Sequence, residues 1–274
     1  TQASNTAKFP LASISKVFTA IAILQLVDEN ALSLNDSVCK FFPNLPPSWE
    51  KIKIRHLITH TSGIALSGGE AAHRKEYLNT LGSRPLNFEP GERMEYNNPA
   101  YILLGWIIEK QRSEPLREVF GERIFRPLEM NDTSIPEESF VDYIQGYTEK
   151  KNELSQVERK LDFQTMGGTA GVVSTVEDLS KFAEALCQGK LLSPKSYSEF
   201  FQPHLLNSNK PAGTASCWRI EKGYASRVYQ KNGNISSHSS WLAIDPKEKS
   251  YLIILSNKGG IKFDDTSRQF FNSH

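Results

Sequence analysis

Ser13 and Lys16 stand three residues apart in the stretch FPLASISKVF (9–18), where the neighbours are apolar or small. On a helix, positions i and i+3 share a face one turn apart, so this hydroxyl and this amine can meet. At a helix start the backbone N–H groups point outward unpaired, and a cation there opposes the helix dipole. Apolar surroundings also disfavour the charged amine. Both effects lower the lysine pKa towards the range in which it accepts a proton from a hydroxyl. Serine is a weak nucleophile until such a base adjoins it. The pair therefore reads as nucleophile plus base. The same residues also read as a serine cap followed by a lysine whose stem lies along apolar surface. The spacing alone leaves both open.

Other groups could complete such chemistry. Tyr96, Asn97 and Asn98 precede the apolar run PAYILLGWIIEKQ (99–111). Asn98 reads as its N-cap, and Pro99 suits the first helical position. Tyr96 equally reads as a core tyrosine with its hydroxyl satisfied. Lys231 precedes Asn232-Gly233, a strong hairpin-turn signal that by pattern makes Lys231 a strand-end lysine. His56 and His60 in HLITH have the i, i+4 spacing of a zinc helix. They lack the glutamate of H-E-x-x-H and a third ligand. No G-x-S-x-G elbow occurs, and GGTAG (167–171) lacks the Gly-Lys-Ser/Thr of a phosphate loop.

The 274 residues suffice for one large domain or two small ones. With 32 Lys+Arg against 31 Asp+Glu, no broad basic field exists to attract nucleic acid or an anionic membrane. The densest apolar run, VFTAIAILQLV, is shorter than a membrane span and carries Thr19 and Gln25. Cys39, Cys187 and Cys217 are odd in number and widely spaced, and read as buried thiols. Lys16 to Val27 is apolar nearly all round, which predicts a buried helix. EKKNELSQVERKLD (149–162) is charged and aperiodic and reads as a solvated connection. Ser174 or Thr175 can cap a helix over VEDLSKFAEAL. SCWRIEK, ASRVYQK, SSWLAID and SYLIILS then read as antiparallel strands, with DDTSRQFFN as a closing helix. Helices first and strands last give an α+β fold.

ASISKVFTAIAILQLVDENALSLNDSVCKFFPNLP followed by IKIRHLITHTSGI resembles the serine β-lactamase and penicillin-binding-protein superfamily, in its class C-like branch of DD-peptidases and esterases. PGERMEYNNPAYILLGWIIEK resembles its Y-x-N region, MGGTAGVVSTVEDLSKFAEAL its glycine-rich turn, and RVYQKNGNISSHSSWLAIDPKEKSYLIILSN its third motif strand with the two strands after it. The resemblance implies a β-lactamase/transpeptidase-like fold: an antiparallel sheet flanked by helices, with a mainly helical region. The sheet region with the nucleophile helix would take residues 1–30 and 165–274, and the helical region, carrying the Tyr-x-Asn motif, residues 31–164. It implies that Ser13 is acylated while Lys16 and Tyr96 share the proton work, the base being either of them. Backbone N–H groups of Ser13 and Asn234 would hold the oxyanion. Asn98 would bind the substrate amide. Lys231, Asn232 and Gly233 would stay on a strand lining the cleft, with the turn near Ser236-Ser237, and the Lys231 cation would keep the Tyr96 phenolate accessible. His56 and His60 would serve core hydrogen bonds. The implied activity is that of a serine hydrolase on an ester, amide or peptide, with no metal or other cofactor and a small-molecule or peptide substrate, in a periplasmic or extracellular setting. The rival class is a non-catalytic member that keeps the fold for binding.

Three departures qualify these expectations. Only about a dozen residues precede Ser13, where the family has a helix and two strands, so the sheet is expected to show an open edge. A fragment, an edge covered by another chain, and a natural loss of the strands all account for this. Asn232 replaces the Thr or Ser hydroxyl of many members, although its amide can still donate. Ser237 stands where glycine is usual and is expected to narrow the cleft rim. Both changes lean away from an efficient β-lactamase.

Overall fold

A computed structural model describes residues 4–66, 74–137, 143–157, 161–163, 166–221, 224 and 226–273. Strand β1 (Phe9–Pro10) leads through a 3-10 turn, Ala12–Ile14, into α1 (Ser15–Asp28). Helices α2 (Ile54–Ile58), α3 (Arg74–Gly82), α4 (Asn98–Arg112) and α5 (Leu116–Phe120) follow. Strands β2 (Tyr147–Lys150) and β3 (Glu153–Gln156) form a hairpin. Next come α6 (Gly167–Ala170), β4 (Val173–Ser174), α7 (Val176–Cys187) and α8 (Pro194–Phe201). The last part is β5 (Thr214–Ala215), β6 (Trp218–Ile220), β7 (Tyr229–Asn234), β8 (Ser239–Asp245), β9 (Ser250–Ser256) and α9 (Asp264–Asn272). Strands β5 to β9 make one antiparallel sheet in chain order, the simplest consequence of strands joined by short turns.

Helix α1 is the axis of the core. Its residues from Ser15 to Leu26 are buried apart from Gln25, as a helix apolar on every side requires. Phe18 packs against Phe182, Phe125 and Phe120 at ring-centroid distances of 4.3, 5.5 and 6.2 Å. Strand β8 is buried along its whole length. Its pleat sends Leu242 and Ile244 to the main core, and Trp241 and Ala243 to the opposite face with Phe271 of α9. At the sheet margin, β9 pairs with β8 alone among the described residues. No helix among the described residues is long and apolar enough to cross a membrane.

Three local readings change. Asn97, not Asn98, caps α4: its side chain accepts from the Ala100 N–H at 2.9 Å, and Pro99 is the second helical residue. Residues 149–156, expected as irregular connection, complete the β2–β3 hairpin. Lys151 and Asn152 at its tip have φ of 52° and 65°, the pair of left-handed residues a two-residue hairpin turn uses. Its exposed face carries no apolar periodicity, so its signal was the turn and not the strands. Residues 158–160 of the same stretch lie outside the described residues. Asn232-Gly233 is not a turn. Both sit on β7, opposite Trp241 and Ser240, and the connection to β8 is 235–238, closed by Ile235 N–H to His238 O at 3.0 Å. Thr175, of the two caps considered, caps α7 by accepting from Asp178 N–H at 3.1 Å.

The short helix α6 is wedged between α1 and α4. Thr19 Oγ1 donates to Gly168 O at 2.6 Å. A Cβ on Gly168 would lie 2.5 Å from the Tyr101 carbonyl oxygen and 3.1 Å from Gly105 Cα, so two backbones meet where only glycine fits. Gly168→Val is expected to lower the free energy of unfolding by about 3 kcal/mol, at the upper end of overpacking costs. Urea denaturation reads this directly; wild-type stability would show that the wedge yields.

Candidate active site

The turn that carries Ser13 is bolted on three sides. Leu11 N–H donates to Val172 O at 2.9 Å, and Leu11 O accepts from Ser240 Oγ at 2.7 Å and from Ile14 N–H at 3.2 Å. Val172 N–H donates to Ser15 Oγ at 3.0 Å. Ala12, immediately before Ser13, has φ of +47°, a left-handed conformation unfavourable to a residue with a Cβ by about 1–2 kcal/mol. Gly233 closes the far side. A Cβ there would fall 2.1 Å from Leu11 O and 3.1 Å from Ser13 N, so β7 reaches the turn only because position 233 has no side chain.

Ser13 lies in the 3-10 turn and Lys16 is the second residue of α1, and the i, i+3 relation brings them together across the junction. Lys16 Nζ donates to Ser13 Oγ at 3.3 Å and to the Thr169 carbonyl of α6 at 3.0 Å. Tyr96 OH, from the loop before α4, donates to the same Ser13 Oγ at 2.7 Å. Lys231 Nζ of β7 lies 5.0 Å from the Tyr96 ring centroid and Lys16 Nζ 5.1 Å. Lys231 donates to Cys217 O at 2.9 Å. Lys16 is fully buried and Lys231 nearly so, yet among the described residues neither ammonium has a carboxylate partner.

The electrostatics follow. Burial, and then the neighbouring Lys231, push the Lys16 pKa well below the usual lysine value. Burial pulls Lys231 down to about 8. Burial drives Tyr96 the other way, up to about 12, against the opposing Ser13 hydrogen bond. The Lys231 cation lies beside the Tyr96 ring, and loss of solvent raises the Tyr96 pKa above the usual tyrosine value. Lys16 is the group poised to be neutral, and Tyr96 the group poised to keep its proton.

The remaining sequence candidates spread along the same cleft. Asn98 is exposed at the start of α4, and its carbonyl accepts from Thr169 Oγ1 at 3.3 Å. Asn232 is exposed on β7. The Asn234 carboxamide accepts from Gly260 N–H at 3.0 Å and so ties β7 to the loop after β9. Ser237 does not narrow the rim. It is buried, with Oγ 2.9 Å from His238 Nδ1. Beyond Asn234 a groove of about 1040 Å³ opens towards Glu149 and Lys258, which pair across it.

His56 takes a local role, accepting from Lys53 N–H at its own helix start at 3.1 Å. His60 joins the site itself. Its Nδ1 accepts from Asn97 N–H at 3.0 Å, and its ring lies 4.6 Å from that of Tyr96. Thr169 and Cys217 are the contributors that the reading of side-chain chemistry passed over, while His60, expected to serve core hydrogen bonds, makes one beside the site. The first two act through backbone carbonyls, which no residue type announces. GGTAG, read both as a rejected phosphate loop and as the glycine-rich turn of the resemblance, held the signal for Thr169: a glycine-rich helix start able to approach another backbone.

The beta-lactamase family model matches residues 1–271. A penicillin-binding protein of Bacillus subtilis (strain 168) is 29% identical over 278 residues, covering 91% of this chain and 60% of that protein. Protein flp of Staphylococcus aureus (strain MW2) is 26% identical, covering 93% of this chain and 54% of its own length. The chain thus spans little more than half the length of the curated relatives it matches. A beta-lactamase/D-alanine carboxypeptidase from Pseudomonas syringae superposes with a TM-score of 0.82 at 23% identity, over 99% of this chain and 85% of the other. The D-amino acid amidase of Ochrobactrum anthropi SV3, complexed with L-phenylalanine amide, gives 0.81 at 24%, over 99% and 82%. The shared fold, together with a family match over nearly the whole sequence, means that this chain belongs to the beta-lactamase family.

Proposed function

We propose that this chain is a serine hydrolase that forms an acyl-enzyme on an ester, amide or peptide. The observation that carries the reading is the convergence of Lys16 Nζ and Tyr96 OH, at 3.3 and 2.7 Å, on the one oxygen Ser13 Oγ. Neutral Lys16 takes the Ser13 proton as Oγ attacks the carbonyl. The N–H groups of Ser13 and Asn234 hold the oxyanion; one such donor is worth roughly 3 kcal/mol of transition-state stabilisation. Tyr96, kept protonated, gives its proton to the leaving group and is restored through Lys16. Water then repeats the attack on the ester in reverse roles. Proton transfer of this type typically contributes about 10²–10⁴-fold.

Lys231 supplies the positive charge on the leaving-group side, beside Tyr96. Asn98 and Asn232 offer amide groups to the substrate. Asn232 in place of a hydroxyl favours esters, amides or peptides over an efficient β-lactamase role. The likeness to a D-amino acid amidase and to a D-alanine carboxypeptidase makes D-amino-acid amides and peptides the first substrates to try, with p-nitrophenyl esters and nitrocefin beside them.

Intact-mass measurement after exposure to a fluorophosphonate is expected to show one adduct on Ser13, absent in Ser13→Ala. A folded sample with no adduct would instead support a non-catalytic member that keeps the cleft for binding.

The pH profile tests the division of labour. The rate rises as Lys16 loses its proton, because the base must be neutral. It falls above about pH 8, where Lys231 becomes neutral and the cleft loses its cation. Arginine stays protonated throughout, so Lys231→Arg is expected to abolish the falling limb near pH 8. An unchanged limb would remove Lys231 from the reading.

A further inference from the structure

His60 sits at a position where a helix stop favours glycine. Helix α2 ends at Thr59, and the next two N–H groups turn back on it: His60 N–H to Leu57 O at 3.4 Å and Thr61 N–H to His56 O at 2.9 Å. This is the two-bond helix stop whose middle residue is left-handed, usually Gly and sometimes Asn. His60 occupies it with φ of +59°. Histidine is one of the few residues other than glycine that adopt this conformation, and it persists here because the surroundings hold it in place. The ring is buried as well, and its Nε2 has no hydrogen-bond partner among the described residues. Two unfavourable features thus coincide in one residue.

What the residue does in return is specific. Its carbonyl accepts from Glu95 N–H at 2.9 Å, and its Nδ1 accepts from Asn97 N–H at 3.0 Å. These two bonds bracket Tyr96 on either side. The His60 ring then lies between two tyrosine rings, at 4.6 Å from Tyr96 and 5.0 Å from Tyr101. Tyr101 is itself held, its OH donating to Ile58 O at 2.6 Å. Tyr96 as a whole residue is more than two-fifths exposed although its hydroxyl is withdrawn from water, and the imidazole lies against the inner side of its ring. Because Nδ1 accepts, the ring is neutral with its proton on Nε2. A neutral ring can lie beside Lys16 and Lys231 without adding a positive charge to theirs.

We infer that His60 is a positioning residue for proton transfer: its side chain, clamped on Asn97 N–H and packed against the Tyr96 ring, sets the Tyr96 hydroxyl at hydrogen-bond distance from Ser13. The inference rests on the serine-hydrolase reading above. It follows that a residue better suited to the turn gives a worse enzyme. Glycine relieves the left-handed backbone but removes both the acceptor and the ring. Asparagine tolerates the backbone and keeps a side-chain acceptor, but lacks the ring.

The test uses the rate constant and the affinity of Ser13 labelling by a penicillin, whose ring nitrogen takes a proton as it leaves, and these separate chemistry from binding. His60→Gly is expected to slow the labelling step about 10- to 100-fold, with apparent affinity within about threefold; His60→Asn should fall between it and the wild type. Circular dichroism and thermal melts establish that each variant is folded, and Asn, native to such turns, covers the case in which Gly leaves too large a cavity. The deciding measurement is a double-mutant cycle with Tyr96→Phe. If His60 acts through Tyr96, the double variant labels no more slowly than Tyr96→Phe alone. Multiplicative losses, or folded His60 variants that label at the wild-type rate, overturn the inference while leaving the hydrolase reading intact. A Tyr96→Phe variant with wild-type labelling would instead remove Tyr96 from that reading, and the inference with it.

Discussion

An uncompensated amine in the core is the constraint around which this protein is arranged. Lys16 is removed from water, with a hydroxyl and a carbonyl as its partners and a second lysine nearby. Burying an ammonium without a counter-charge is costly, so burial pushes the Lys16 pKa well below the usual lysine value. A neutral amine is then within reach of a serine. Each supporting feature keeps it so: a helix apolar on every side, a carbonyl from α6 that orients Nζ, and, among the described residues, no carboxylate to restore the charge. The start of the helix adds to this, because its dipole opposes a cation there.

The same loss of solvent that lowers the amines raises the phenol. Lys16 and Tyr96 touch one oxygen, and their environments drive their pKa values apart. Pairs of titratable groups separated in this way are how acid and base roles are divided in one pocket. Lys231, less strongly shifted, stays cationic over the neutral range and lies against the ring of Tyr96. The differing pKa directions of the three groups follow from their withdrawal from water.

Backbone approach is the second theme. Gly233 admits β7 to the Ser13 turn, Gly168 admits α6 to α4, and the strained Ala12 lets the chain turn between them. Side chains as large as alanine at either glycine would separate elements that must touch. The departures from the family pattern divide accordingly. Ser237 is absorbed by a bond to His238 and leaves the cleft unaffected, whereas Asn232 is exposed on the strand that lines it. The second change is the one that bears on substrate preference.

Much was legible in the order of residues. The all-round apolar character of Lys16–Val27 required a buried helix, the β-branched and aromatic segments from Trp218 onward required a sheet, and Ser13 and Lys16 are close by helical spacing alone. What the chain order could not express is distance between remote segments. Tyr96 is brought to Ser13 by the packing of α4 on α1. Asn232-Gly233 has the local preference of a turn, yet cross-strand bonds to β8 hold it extended, because tertiary pairing outweighs a two-residue propensity. Burial decided the pKa order too, since desolvation depends on everything packed around a group and not on its neighbours in sequence. Residue types determined which groups could do chemistry; only the folded arrangement determined which of them meet, and in which protonation state.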